Sequence, residues 1–195
     1  MKYILLVFAF LTACGSPAKN PCVRSFRSVI DMGSGSTKMN MAEVEICTEA
    51  VTIKSKVDRE ESRPVPLESV KTAEGEIPLA AREQALAALR DLRELAIKEA
   101  KARGYGSADL AVVGTHALRT AKNKDAFLSE LEAQGFVVRA LTQDEEGQAG
   151  RSAALRTQVP DSCRSEIMVW DVGGGSAQIT SSQRTENLQF GSEAF

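Results

Sequence analysis

Ser28-Val-Ile-Asp-Met-Gly-Ser-Gly-Ser-Thr-Lys-Met-Asn-Met41 is the stretch whose reading decides the fold. Val29-Ile30 reads as the end of a buried strand, and the residues after Ser36 alternate as a second strand. Between them stand Asp31 and the turn Gly33-Ser34-Gly35-Ser36. Two strands joined by such a turn form a hairpin whose backbone N–H groups can converge on one point. Glycine lets an anion approach the backbone closely, and Ser34, Ser36 and Thr37 add hydroxyl donors. Asp31, at the strand end, can hold a hydrated divalent cation, and Lys38 can supply a point charge. An ordinary polar hairpin with an exposed Asp fits the same residues. The spacing is not that of a Walker A loop, and Lys38 stands where a dinucleotide fingerprint needs its third glycine.

A second copy of the plan lies near the other end of the chain. Glu166-Ile-Met-Val-Trp-Asp171-Val-Gly-Gly-Gly-Ser176-Ala-Gln-Ile-Thr180 again runs from an apolar strand through Asp and a Gly/Ser turn into a strand. Here the turn residues are Gly173, Gly174, Gly175 and Ser176. Two hairpins facing each other across a cleft would clamp a row of phosphates and a metal from both sides.

Asp31-Met-Gly-Ser-Gly-Ser and Asp171-Val-Gly-Gly-Gly-Ser resemble the two phosphate motifs of the actin-like superfamily, which includes acetate kinase, sugar kinases and Hsp70. Val113-Gly-Thr-His-Ala-Leu-Arg119-Thr-Ala-Lys-Asn123 and Glu145-Glu146-Gly147, lying between them, resemble the exopolyphosphatase/guanosine pentaphosphate phosphatase (Ppx/GppA) family. The resemblance implies a hydrolase of phosphoanhydrides. Its substrate would be polyphosphate or a guanosine polyphosphate, with Mg²⁺ as cofactor and Asp31 and Asp171 as carboxylates for the metal. In one respect the chain departs from the family. The second motif there continues Ser-Thr-Glu, with the Glu helping to hold the metal, whereas this chain has Ser176-Ala177-Gln178.

The residues between the hairpins supply the rest of a lobe. Strands are expected at 27–31, 37–47 and 50–57, as an antiparallel meander. The charged segment 58–76, with Pro64 and Pro66, reads as a long loop. A helix over 78–103 places Leu86, Leu89, Leu92, Ala96 and Ala100 on one face, and Gly104 ends it. A strand at 109–113, a helix at 124–134 capped by Asn123 and closed by Gly135, and a strand at 136–141 follow. Thr142-Gln-Asp-Glu145 is a capping box that opens a helix to about Arg156. The predicted fold is α/β: an RNase H-like, actin-like lobe over 26–165 with a mixed five-stranded sheet and flanking helices. Residues 166–195 read as the start of a truncated second lobe. Strands around Val169 and Ile179 would then lack covering helices, and such an edge invites pairing with another chain, a homodimer included.

Hydrolysis of a phosphoanhydride needs a cradle, a metal and a group that orients water. The capping box assigns Glu145 to the backbone. Glu146, about 100° further round the helix, is free to face the cleft, and the family's catalytic glutamate matches it. Acidic residues also favour a helix N-terminus for its dipole alone. Arg119, after a strand and near a helix start, can hold two phosphate oxygens in parallel. His116 in the same motif reads as structural.

The 195 residues carry a net charge of −2 and are 26% charged and 43% hydrophobic. That suffices for a packed core and offers no electrostatic case for binding nucleic acid. Residues 1–13 read as a signal peptide: Lys2, then a short apolar run, then Leu11-Thr-Ala-Cys14-Gly15, which resembles a lipoprotein box. The implied processing lipidates Cys14 and leaves 14–25 as a tether. The expected location is the cell envelope, anchored by lipid at the outer membrane and facing the periplasm. A simple secretory peptide or an uncleaved anchor remain alternatives. Cys22, Cys47 and Cys163 complete an odd set of three thiols whose pairing the sequence leaves open. None has metal-ligand spacing, and the single His116 makes a zinc site a poor fit.

Overall fold

The computed structural model describes residues 22–48, 50–156 and 159–192. The expected signal peptide, Cys14 and most of the expected tether lie outside these residues.

β1 (Val23–Met32) and β2 (Ser36–Ile46) form the hairpin that carries the first turn. They pair antiparallel from Val23↔Ile46 to Met32↔Thr37. The alternation sets their two faces. Phe26, Ile30, Met32, Met39 and Met41 point into the core, while Val29, Asp31, Lys38 and Asn40 point to the other side. A one-residue slip would exchange those faces, so burial of the apolar set fixes the position of Asp31. A disulfide between Cys22 and Cys47 closes the far end of the hairpin.

β3 (Val51–Lys56) continues the meander on the outer side of β2. On the inner side β1 pairs in parallel with β5 (Asp109–Gly114), which pairs in parallel with β6 (Val137–Ala140). The five-stranded path β3-β2-β1-β5-β6 is therefore mixed, as the element order predicts. A sixth strand, β4 (Glu61–Pro64), pairs with β2 beside the first turn. It falls inside the segment expected to be a loop. Val65 and Leu67 of that segment are fully buried, so burial and strand pairing override its polar, proline-bearing composition.

α1 (Leu79–Ala102) covers the core face of the sheet with Ala81, Ala85, Leu89, Leu92, Ala96 and Ala100 buried. Leu86 sits at the edge of that face, half-buried against the core. Gly104 and Gly135, at φ of 83° and 76°, end α1 and α3 (Lys124–Ala133) in the left-handed region that glycine adopts without a Cβ penalty. Asn123 stands at the start of α3, but its side chain makes no cap bond there. Its amide instead bridges to Ile77, accepting from the N–H at 3.0 Å and donating to the carbonyl at 2.9 Å. Asn123 thereby satisfies both backbone groups of Ile77.

A short helix, α2 (His116–Thr120), follows β5, and α4 (Gln143–Ala154) follows β6. A separate three-stranded antiparallel sheet holds β7 (Val169–Val172), β8 (Ala177–Thr180) and β9 (Thr185–Leu188). Contrary to the expectation of bare strands, α4 covers one face of this sheet. Gly147 and Gly150 make the approach possible. A Cβ at Gly147 would lie 2.5 Å from Thr180 Oγ1, and one at Gly150 would lie 2.7 Å from Asp171 Oδ2. The other face remains open, with Met168, Trp170 and Val172 exposed. No helix among the described residues is long and apolar enough to cross a membrane.

Candidate active site

The two Gly/Ser turns open onto one cleft of about 780 Å³. Its lining includes Asp31, Gly33, Ser34, Gly35, Ser36 and Lys38 from the first hairpin and Asp171, Gly173, Gly174, Gly175 and Ser176 from the second. Both turns close with the same bond. Gly33 N–H donates to the Ser36 carbonyl at 3.0 Å, and Gly173 N–H donates to the Ser176 carbonyl at 2.9 Å. Carbonyls of both turns are taken up from outside. Those of Ser34 and Gly35 accept from Glu68 and Val65, and that of Gly173 accepts from Ser192. The N–H groups of Ser34, Gly35, Gly174 and Gly175 have no acceptor among the described residues. Backbone N–H groups left open at a cleft wall are available to an anion.

Glu146 faces the cleft from the first turn of α4. The capping box forms as its sequence predicts. Glu145 N–H donates to Thr142 Oγ1 at 3.2 Å, and Thr142 N–H donates to Glu145 Oε2 at 2.9 Å. Glu145 is thereby committed to the backbone, and that bond holds its carboxyl below the usual range. Glu146 differs in its surroundings. Burial raises its pKa, Arg119 lowers it, and Asp171 raises it again, for a net rise.

Arg119, at the end of α2, donates through Nη1 to Glu146 Oε2 at 2.9 Å and to the Leu141 carbonyl at 3.0 Å. Its Nη2 lies 3.4 Å from Ser176 Oγ. One guanidinium thus touches the helix that carries Glu146 and the second turn together. Beneath it, Gln178 is buried and donates through Nε2 to Ser176 Oγ at 3.3 Å. Gln178 is paired in register with Asp171 but does not line the cleft.

Three carboxylates, Asp31, Asp171 and Glu146, share this space with Lys38 and Arg119. Asp31 opens to the water of the cleft, yet the surrounding protein desolvates it. Burial first, then Glu146, raise its pKa to about 6 against the pull of Lys38, with Asp171 and Glu60 adding to the rise. That surplus of negative charge suits a divalent cation. The three carboxylates do not all come within 4.8 Å of one another, so an ion between them would keep water ligands. Among the described residues the one tight group of three ligand-type side chains is Cys22, Glu45 and Cys47. Both its sulfurs are spent in the disulfide.

His116 is structural, as its motif suggests, and the support it leans on is one that sequence reasoning passed over. The segment after β4 braces both turns: Glu68 N–H donates to the Ser34 carbonyl at 3.0 Å. The Glu68 carboxylate accepts from Lys71 Nζ at 2.7 Å and lies 3.8 Å from His116 Nε2. His116 in turn packs against Gly175, where any Cβ would run into its ring. Val65 and Leu67, apolar and alternating, were the available signal.

A mixed sheet wound in this order, with paired Gly/Ser turns facing one cleft, defines an actin-like lobe. The family model for the Ppx/GppA phosphatase family matches residues 49–193. The chain belongs to that family. Among solved structures it is similar to the Ppx/GppA family member from Aquifex aeolicus, at 24% identity and a TM-score of 0.67 over 87% of this chain and 52% of that one. It is similar also to an exopolyphosphatase from Cytophaga hutchinsonii, at 19% identity and a TM-score of 0.61, again over 87% and 52%. These likenesses show the fold, and the chain spans about half the length of the structures it matches. No curated protein matches the sequence.

Proposed function

We propose that the chain is a phosphoanhydride hydrolase that releases terminal phosphate from polyphosphate or a guanosine polyphosphate. Family membership supports a phosphatase-type activity, and the convergence of both turns on the cleft lined by Glu146, which Arg119 bonds from behind, carries the reading. In this reading the free N–H groups of the turns hold phosphate oxygens. Arg119 swings from Glu146 to bond two oxygens of the terminal group. Glu146 takes the proton of the attacking water as its oxygen bonds to phosphorus, and the bond to the bridging oxygen breaks. Bound Mg²⁺, held by Asp31 and Asp171 partly through water, would spread the charge of the phosphates. The test is phosphate release from tripolyphosphate with Mg²⁺ by the purified protein. Release that survives Glu146→Gln would overturn the assignment.

Binding without turnover is the second reading. The Arg119–Glu146 ion pair and the uncharged Gln178 beside Asp171 favour it. Saturable binding of tripolyphosphate with no release of phosphate would select it.

The same proposal includes export and lipidation at Cys14, with the protein in the envelope facing the periplasm. The Cys22–Cys47 bridge supports an oxidising compartment. Metabolic labelling with a fatty-acid probe, lost in Cys14→Ser, tests the anchor. Self-association through the open face of Met168, Trp170 and Val172 belongs to the reading as well, and sedimentation of Trp170→Lys against the parent measures it.

A further inference from the structure

The hydroxyl of Ser176 is bracketed by two nitrogen donors. Arg119 Nη2 lies 3.4 Å from Oγ, and Gln178 Nε2 lies 3.3 Å from it. Neither a guanidinium nor an amide nitrogen offers an acceptor, and a hydroxyl oxygen has two lone pairs. Both are therefore engaged from the protein side. The O–H proton must point elsewhere. Ser176 is buried, lines the cleft, and meets no acceptor for that proton among the described residues. What remains is the space between the two turns.

Gln178 is held in this role by its surroundings. It is 1% exposed, in register with Asp171 on the face of the sheet that α4 covers. A Cβ at Gly147 would meet Gln178 Cβ at 3.3 Å, so α4 packs directly against the strand at Gln178. The first turn has no counterpart: none of the described residues donates to the hydroxyl of Ser34 or Ser36.

We propose that Gln178 is a positioning residue that sets Ser176 as a pure hydrogen-bond donor toward an anionic oxygen in the cleft. The inference rests on the reading of the cleft as a phosphate site and deepens it. A carboxylate at position 178 would reverse the arrangement. It would accept the Ser176 proton, and the hydroxyl would present lone pairs to the cleft instead of a donor. The amide at 178 therefore makes anion binding at the second turn less dependent on a metal.

A double-mutant cycle tests this, with tripolyphosphate as the probe, binding measured by calorimetry in metal-free buffer with chelator. Ser176→Ala is expected to weaken binding about tenfold in the parent chain, the scale of one hydrogen bond to a charged group. In the Gln178→Glu background the same change is expected to cost less than twofold, because the hydroxyl already faces away. The added charge at 178 lowers affinity in both arms and cancels from the comparison. Equal costs in the two backgrounds, or no cost in the parent chain, would overturn the proposal while leaving the cleft a phosphate site. Failure of the parent chain to bind tripolyphosphate would remove the site and this inference with it. A second measurement needs no buried charge. Hydrogen exchange of the Gln178 side-chain amide should be slow in the parent and faster in Ser176→Ala. An unchanged rate would mean that the amide does not hold the hydroxyl.

Discussion

Arg119 and Glu146 form an ion pair at 2.9 Å, with Glu146 lining the cleft and Arg119 behind it. Glu146 is thus held by the group that the proposed reaction needs on the phosphate. Glu146→Gln keeps the shape and the hydrogen bond but removes the proton acceptor. We expect phosphate release to fall by about 100-fold or more, with tripolyphosphate affinity unchanged within twofold. Arg119→Lys keeps the charge but loses the planar fork. Its expected effect is the reverse: affinity about tenfold weaker, read in the same calorimetry.

Gly175 is required by His116 rather than by its own backbone angle. Its φ is not in the left-handed region, but a Cβ there would collide with the imidazole. Gly175→Ala should cost about 2 kcal/mol of unfolding free energy, the scale of overpacking. His116→Ala in the same chain removes the obstacle, and the double variant should recover more than half of that loss in urea denaturation. Additive losses would mean that the ring has room to move aside.

The periodic elements were legible because their signals are local. Leu89, Leu92, Ala96 and Ala100 repeat at helical spacing, and Thr142 with Glu145 spells its own cap, so α1 and α4 lie where the sequence puts them. The convergence of the two turns was legible because each carries the same Asp-to-Ser pattern. What stayed hidden depends on partners distant in the chain. β4 exists because β2 offers a free edge beside Ser36, and nothing within 61–64 announces it. Asn123 has the chemistry of a cap, but Ile77, 46 positions away, claims its amide. Gln178 reads as a weakened metal ligand until the structure shows it beneath Ser176 and outside the cleft.

Asp31 makes stability depend on pH in a definite direction. Burial pushes its carboxyl up to about 6 in the folded protein, against 3.8 for the free side chain. A raised value means that the native state holds this proton more tightly than the unfolded chain does. The contribution is fully present below pH 3.8 and is lost as pH rises through about 6. Asp31→Asn removes the dependence. At pH 7.5 it should stabilise the metal-free protein by about 1 kcal/mol, a figure discounted because cleft water screens the carboxylate. At pH 4 the two proteins should melt together. Mg²⁺ should narrow the difference at pH 7.5 if Asp31 is one of its ligands, and thermal melts with and without the metal measure this.

The Cys22–Cys47 bridge ties the start of β1 to the end of β2. Asp31 and Lys38 lie at the opposite end of the same hairpin, eight register pairs on from Val23↔Ile46. The bridge closes a loop with a sequence separation of 25, for which chain entropy gives about 3 kcal/mol. The hairpin does not need it for register, because Phe26, Ile30, Met39 and Met41 are buried only in the observed pairing. Replacing both cysteines by serine should therefore lower unfolding free energy by about 3 kcal/mol and leave tripolyphosphate affinity within twofold. Cys163, exposed and unbridged, supplies the control. It should take up an alkylating label without reduction, and Cys22 and Cys47 only after it. A large loss of affinity in the serine variant would show that the register at the turn depends on the covalent tie.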